Sequence, residues 1–505
     1  MPGFSKRISL YKKPRLSKTR YQAGLQCLKH LWLLCHAPEL ADPVDEVRLS
    51  LFRTGHRVGE LARNRFPGGV LVEADHRQSA AALRLTAGLL RGDAGCIYEA
   101  AFSFEGVLVR PDIMVRRGDA WDIIEVKSST DLKPEHVTDA AIQTHVVRGA
   151  GARVDRVFLL HFNRDYVFPG GDYDLDSLFV QRDITADVAA HLALVPSNLT
   201  NMRNVVAGPC PQIPVGRRCS VPYTCAFYAF CRQALPEYPV SEIPRISDEA
   251  LERLRDEGIH SITDVPPTHS GLTPAQHRSC AAVRSGVPHF DPELATALSP
   301  LRTPLHFLDF ETLQPALPFF PGARPYQTLP FLWSCHSVID EGAVRRLEHR
   351  AYLHRPPGDP RRPFVESLVA ELPGQGPIVV YTTYEDHILE ILASDLPDMA
   401  PALTAIRNRL FDLHAVIRKH VQHPEFHGST SLKRVLPALV PDLSYEDLAI
   451  RDGAVAAARY EAVLNGNLSH EAQETILKDL YAYCATDTLA LVRLTEALGA
   501  AVAHL

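Results

Sequence analysis

Residues Ile97 to Phe104 and Val107 to Val115 are dense in β-branched and aromatic side chains, and Arg117-Gly118-Asp119 supplies a turn before a third apolar run, Trp121 to Val126. This pattern predicts strands joined as hairpins. Apolar positions at helical spacing predict helices over Val47 to Arg65 and Thr138 to Val147; in the first, Gly55, Gly59 and Ala62 are small enough for close helix packing. Further along, His306 to Thr312 reads as a strand, Gly376 to Asp386 as a strand running into a helix, and Ala472 to Leu498 as a long helix. From about Pro236 to Ser299 the chain turns proline-rich, with short helices around Gly258-Ile259. A chain of 505 residues exceeds what one core usually fills. The expected class is α/β, with segments 1–235 and 301–505 joined by a small helical module at 236–300.

Chemistry enters at Asp112, in Arg110-Pro111-Asp112, and, after twelve intervening residues, at Glu125, in Glu125-Val126-Lys127. The hairpin puts these carboxylates on neighbouring strands, where they repel each other. A hard divalent cation, Mg²⁺ or Mn²⁺, relieves the repulsion and uses their oxygens as ligands. Such an ion activates water and polarises a phosphodiester oxygen. Lys127 projects from the face that carries Glu125, where an ammonium orients water or offsets charge developing on phosphorus. The plain alternative is a solvated hairpin whose charges happen to alternate with apolar residues.

His56 precedes these residues and Gln143 follows them on the second helix. In that order the region resembles RecB-like nucleases of the PD-(D/E)xK superfamily. The resemblance implies a restriction-endonuclease fold, His56, Asp112 and Glu125 as metal ligands, Lys127 as catalytic, and Gln143 as organiser of the site. Where that family often has Tyr four residues after Gln, this chain has Val147.

Ten cysteines are present, three of them spaced C-x5-C-x5-C at Cys219, Cys225 and Cys231. With no secretory signal before them, a thiolate-bound metal is the better reading than a disulfide framework. Cys27 and Cys210 compete for a fourth position, and zinc competes with an iron–sulfur cluster. The region resembles the RecB-like branch that includes CRISPR adaptation nucleases and the AddB nuclease, which implies a [4Fe-4S] cluster on Cys27, Cys219, Cys225 and Cys231. Cys35, Cys96, Cys280, Cys335 and Cys484 stand singly and read as packing residues.

A second acidic system starts at Asp309 and Glu311, two apart and therefore on one strand face. Tyr483 and Asp487, four apart, share a helix face. Between them lie Glu385, Asp386 and Asp412. This order resembles the DnaQ-like exonucleases of the RNase H-like fold, in the DEDD class with tyrosine in the last motif. The resemblance implies that Asp309, Glu311, Asp487 and a middle acid hold two metals, and that Tyr483 helps to position water. Glu385 is the preferred middle acid, with Asp386 and Asp412 as alternatives. The middle motif departs from the family pattern, with Tyr381 where Asn is usual and Tyr384-Glu385 where an aromatic residue and Asp are usual. Gly428-Ser429-Thr430-Ser431, leading into Leu432-Lys433-Arg434, reads either as a phosphate site or as a plain helix cap.

A net charge of -6 argues against indiscriminate coating of nucleic acid, although residues 1 to 20 carry seven Lys or Arg and no acid. No apolar run approaches the roughly 18 residues of a membrane span, and no Gly-x4-Gly-Lys-Ser/Thr loop is present. The cytoplasm is the expected compartment, and a helicase, if needed, would be a separate partner. As a whole the chain resembles a family of uncharacterised bacterial proteins with this architecture. The expected activity is metal-dependent hydrolysis of nucleic acid, DNA before RNA. The competing class is a nucleic-acid-binding or scaffold protein with one or both sites decayed.

Overall fold

The computed structural model describes residues 16–73, 79–341, 344–372 and 374–503. Most of the basic arm expected at residues 1–20 falls outside them. The chain divides into two units, Met1–Ala234 with Pro321–Pro325, and Leu235–Phe320 with Tyr326–Leu505. Both are mixed α/β. Among the described residues, no helix is long and apolar enough to cross a membrane.

Unit 1 contains β1 (Leu16–Ser17), β2 (Val70–Leu71), β3 (Cys96–Tyr98), β4 (Phe102–Phe104), β5 (Val107–Val109), β6 (Ile113–Arg117), β7 (Ala120–Val126), β8 (Val154–Phe162) and β9 (Phe179–Asp183). Six of them form a mixed sheet in the order β2-β3-β6-β7-β8-β9, and β1-β5-β4 form a small second sheet. The two long strands expected over Ile97–Phe104 and Val107–Val115 are each broken in two, with one piece in either sheet. The first breaks at Glu99, whose φ of 56° leaves the strand region. The second breaks at Pro111, which has no N–H for a ladder. These breaks put Asp112 just ahead of β6, where Ile113 pairs with Ile124 across β7 and so sets Asp112 against Glu125.

The helix Pro134–Gly149 is buried around nearly its whole circumference and packs on β4, β5 and β8. A Cβ at Gly149 would run into the Phe104 ring, so glycine permits that approach. The helix Glu46–Asn64 buries Val58 and Ala62. Close packing was expected at its glycines as well, but Gly55 and Gly59 face open space beside a cavity.

Unit 2 contains β10 (His289–Phe290), β11 (Leu305–Leu313), β12 (Leu329–Glu341), β13 (Val344–Leu353), β14 (Ile378–Val380), β15 (Leu410–Asp412) and β16 (Val421–Gln422). The five-stranded sheet runs β13-β12-β11-β14-β15, with β11 antiparallel to β12 and parallel to β14. Successive residues of β11 point to opposite faces. Leu308 and Phe310 pack with Phe364 and Leu392, while Leu305 and Phe307 pack with Ile417 and Leu494. The helices Asp248–Asp256 and Pro274–Ser285 belong to this unit and share a small core built on Leu254, Ile262 and Cys280.

Candidate functional site

In unit 1 the side chains meet at the end of the β6–β7 ladder. Asp112 Oδ2 accepts from the Val126 N–H at 2.7 Å, which fixes one carboxylate oxygen. Glu125 is fully buried; its Oε1 accepts from Lys127 Nζ at 2.7 Å and Lys18 Nζ at 2.9 Å, and its Oε2 from Gln143 Nε2 at 2.5 Å. Lys127 also reaches Asp139 at 2.5 Å. Burial would raise the pKa of Glu125, but Lys127 and Lys18 hold it well below the usual carboxylate range. For Asp112, burial and then the Glu125 charge outweigh the pull of Lys18 and Lys127 and push it up to about 8. Burial disfavours the Lys127 ammonium, yet Glu125 and Asp139 more than offset this and raise its pKa.

His56 is exposed and lines a cavity of about 390 Å³ together with Asp112, Lys127, Glu99 and Gly55. The resemblance had made it a ligand beside Asp112 and Glu125. It shares a cavity with Asp112 but not with Glu125, and among the described residues it joins no group of three ligand atoms within 4.8 Å. Buried Asp139 Oδ1 and Gln143 Oε1 lack hydrogen-bond partners. Orphaned oxygens on Asp139 and Gln143, which hydrogen-bond with Lys127 and Glu125 respectively, suit a site that takes up a cation.

Cys27 sits at the break between the helices Lys18–Gln26 and Leu28–His36, with extended backbone. It lines one pocket with Cys219, Cys225, Cys231 and Lys29. Burial pushes the Cys225 thiol up to about 11, and the sulfurs of Cys219, Cys27 and Cys231 add to the rise. Cys210 is absent from that lining, although it feels Cys27 and Lys29 electrostatically. No group of three sulfurs within 4.8 Å occurs among the described residues. Four soft donors around one pocket fit a thiophilic metal centre by donor chemistry.

In unit 2, β11 and the helix His470–Val502 bring Asp309, Glu311, Cys484 and Asp487 together. Asp309, Glu311 and Cys484 offer ligand atoms within 4.8 Å of one another, and the Cys484 thiol lies 3.4 Å from Asp309 Oδ2. Burial and the Asp487 charge push both Asp309 and Glu311 well above the carboxylate range; Lys433 opposes the rise for Glu311. Asp487 rises to about 7 through burial, moderated by Tyr445, Lys433 and Tyr483. The Tyr445 hydroxyl donates to Asp487 Oδ1 at 2.5 Å. Glu385, in the first turn of the helix Tyr384–Asp395, is buried, has an unpartnered Oε2, and rises to about 8 mainly by burial. Asp386 instead pairs with Arg407 at 2.6 Å, and Asp412 caps the helix Leu413–His420 through the Ala415 N–H.

Ser431 begins the helix Leu432–Leu439 without a side-chain cap, and Lys433 turns to Asp452 at 3.2 Å and lies over the Tyr483 ring. The expected phosphate segment therefore presents its lysine beside the acids. Lys18, Asp139, Tyr445 and Cys484 were missed as site residues. Asp139 lies four before Gln143, so a helix-face reading would have found it. Cys484 follows Tyr483 directly, while Lys18 and Tyr445 carry no local signal.

Residues 306–431 match the family model described as a domain of unknown function, DUF2779. That stretch contains Asp309, Glu311 and Glu385 and ends before Lys433 and Asp487. No curated protein matches the chain.

Proposed function

We propose that the chain is a metal-dependent nuclease that hydrolyses phosphodiester bonds, with DNA as the favoured polymer. Unit 2 would act as a 3′ to 5′ exonuclease of RNase H-like fold, and unit 1 as a RecB-like PD-(D/E)xK nuclease. The observation that carries the reading is the crowding of half-buried Asp309 with buried Glu311, Glu385 and Asp487, each with a raised pKa. Folding alone gains nothing by crowding buried carboxyls, whereas divalent cations make such a cluster favourable. The central place of β11 in a mixed sheet supports the RNase H-like assignment.

Asp309, Glu311, Asp487 and Glu385 would hold Mg²⁺ or Mn²⁺, which supplies activation of water and polarisation of the phosphate. Tyr445 and Tyr483 hold the Asp487 carboxylate in place. Lys433 brings positive charge to the rim, where a phosphate would sit. In unit 1, Lys127 holds an ammonium between Glu125 and Asp139, placed to orient water near Asp112. Cys27, Cys219, Cys225 and Cys231 would hold a [4Fe-4S] cluster, or zinc, which ties the early and late segments of unit 1 together. Any helicase would be a separate chain.

Full-length protein prepared without oxygen, given end-labelled single-stranded DNA or RNA and Mn²⁺, tests this. Stepwise shortening from the 3′ end that Asp309→Ala abolishes is the expected result. Shortening unchanged in Asp309→Ala would remove unit 2 from the account. For unit 1 a second reading, a decayed site that only binds nucleic acid, is favoured by one observation: both Glu125 oxygens are already taken by Lys18, Lys127 and Gln143. A calorimetric Mn²⁺ stoichiometry in Asp309→Ala that falls further when Asp112→Asn and Glu125→Gln are added would rule it out, because the unit 2 acids are then removed from the comparison.

A further inference from the structure

Away from the acidic cluster, unit 2 carries a second set of ligating side chains, and its origin is local. Strand β10 pairs antiparallel with β16, with Phe290 opposite Val421. One step beyond that ladder, the Asp291 N–H donates to the His420 carbonyl at 2.8 Å, so the Asp291 and His420 side chains emerge side by side. Glu293 follows, its own N–H bonded to Asp291 Oδ1 at 2.8 Å. Ligand atoms of Asp291, Glu293 and His420 all lie within 4.8 Å of one another.

We propose that Asp291, Glu293 and His420 bind a borderline divalent transition ion, zinc in the first place, that pins the end of the helical segment to the helix Leu413–His420. His420 is only 4 % exposed, and its Nδ1 has no hydrogen-bond partner. That nitrogen faces Asp291 Oδ1 at 3.7 Å. The gap is too long for a hydrogen bond. It is close to the roughly 3.3–3.5 Å that separates two ligands of one tetrahedral ion with bonds of about 2.0–2.2 Å. A buried imidazole nitrogen held at ligand spacing rather than hydrogen-bond spacing is accounted for if a cation completes it.

The donor set gives the ion's class. One imidazole nitrogen and two carboxylate oxygens suit zinc, and Glu293 at the exposed rim leaves room for water as a fourth ligand. The Glu293 N–H fixes the Asp291 carboxylate, as hydrogen bonds to ligating groups commonly do. Two cations compete with the ion, Lys419 at 3.6 Å from Glu293 and Arg278 acting on Asp291. Lys419 is exposed and free to swing away.

The test uses the full chain, stripped with a chelator and dialysed against micromolar zinc, as wild type, His420→Gln and Asp291→Asn. Zinc per chain is measured by mass spectrometry, and thermal unfolding is followed with and without the ion. Both variants should retain one zinc fewer than wild type, because the cysteines and the other acidic sites remain in all three. Zinc should raise the wild-type melting temperature by more than that of either variant. Equal zinc content across the three proteins, or an equal rise in melting temperature, overturns the proposal. If His420→Gln does not fold, Asp291→Asn decides, since asparagine keeps the oxygen that accepts from Glu293.

Discussion

Glu385, Asp487 and Asp112 keep protons at pH values where solvated carboxyls have lost them. Their folded pKa values lie above the unfolded ones, so their contribution is fully present below about pH 4 and is lost as pH rises toward 7 or 8. Across that window the folded chain binds more protons than the unfolded one, and each such group costs roughly 1.4 kcal/mol per pH unit. The metal-free protein should therefore melt at progressively lower temperature from pH 5 to pH 8. Glu385→Gln should flatten this slope while ending the proposed exonuclease activity; scanning calorimetry in EDTA across that range checks both the slope and its loss. Lys127 gives the opposite case, a cation needed by its neighbours. Lys127→Met leaves Glu125 and Asp139 with Lys18 alone and should cost about 3 kcal/mol, since breaking one side of a buried ion pair exposes the other to an uncompensated charge. An unmoved urea midpoint would show that the pair is not buried in solution.

Two glycines carry a load at the level of the elements. Gly376 leads into β14 with φ of 98°, and a Cβ there would strike the Pro304 carbonyl ahead of β11. Gly376→Ala should destabilise unit 2 by at least about 1–3 kcal/mol, because both the dihedral and the approach of the two chain segments are lost. Gly499, in the long helix His470–Val502, meets nothing within 4 Å. Gly499→Ala should stabilise by about 0.5–1 kcal/mol, and a paired chemical-denaturation series on the two variants would show opposite signs. Helices were the more legible elements. Val47–Arg65 and Ala472–Leu498 match Glu46–Asn64 and His470–Val502 to within a few residues because helical periodicity is written locally. Strand breaks at Glu99 and Pro111 were not legible from apolar content, since sheet membership depends on partners distant in sequence.

Across the whole molecule, each unit gathers its ionisable groups from far apart in the chain. Asp112 with Glu125, and Asp309 with Glu311, were legible because a strand spacing encodes them. Lys18, 107 residues from Glu125, and Tyr445, 42 residues from Asp487, were not, because only the fold brings them in. With the sites in separate units, Glu125→Ala and Asp309→Ala should remove separable activities, and the double variant should lose both; product ladders from 3′-labelled and 5′-labelled strands would tell them apart. The Cys484 thiol, held against Asp309, has a different consequence. Burial and the surrounding acids keep it protonated, so a Mg²⁺ ion bound there would meet it as a bystander. A soft ion such as cadmium would find sulfur and carboxylate oxygen already converged, and would poison the centre at concentrations that leave an all-oxygen site untouched.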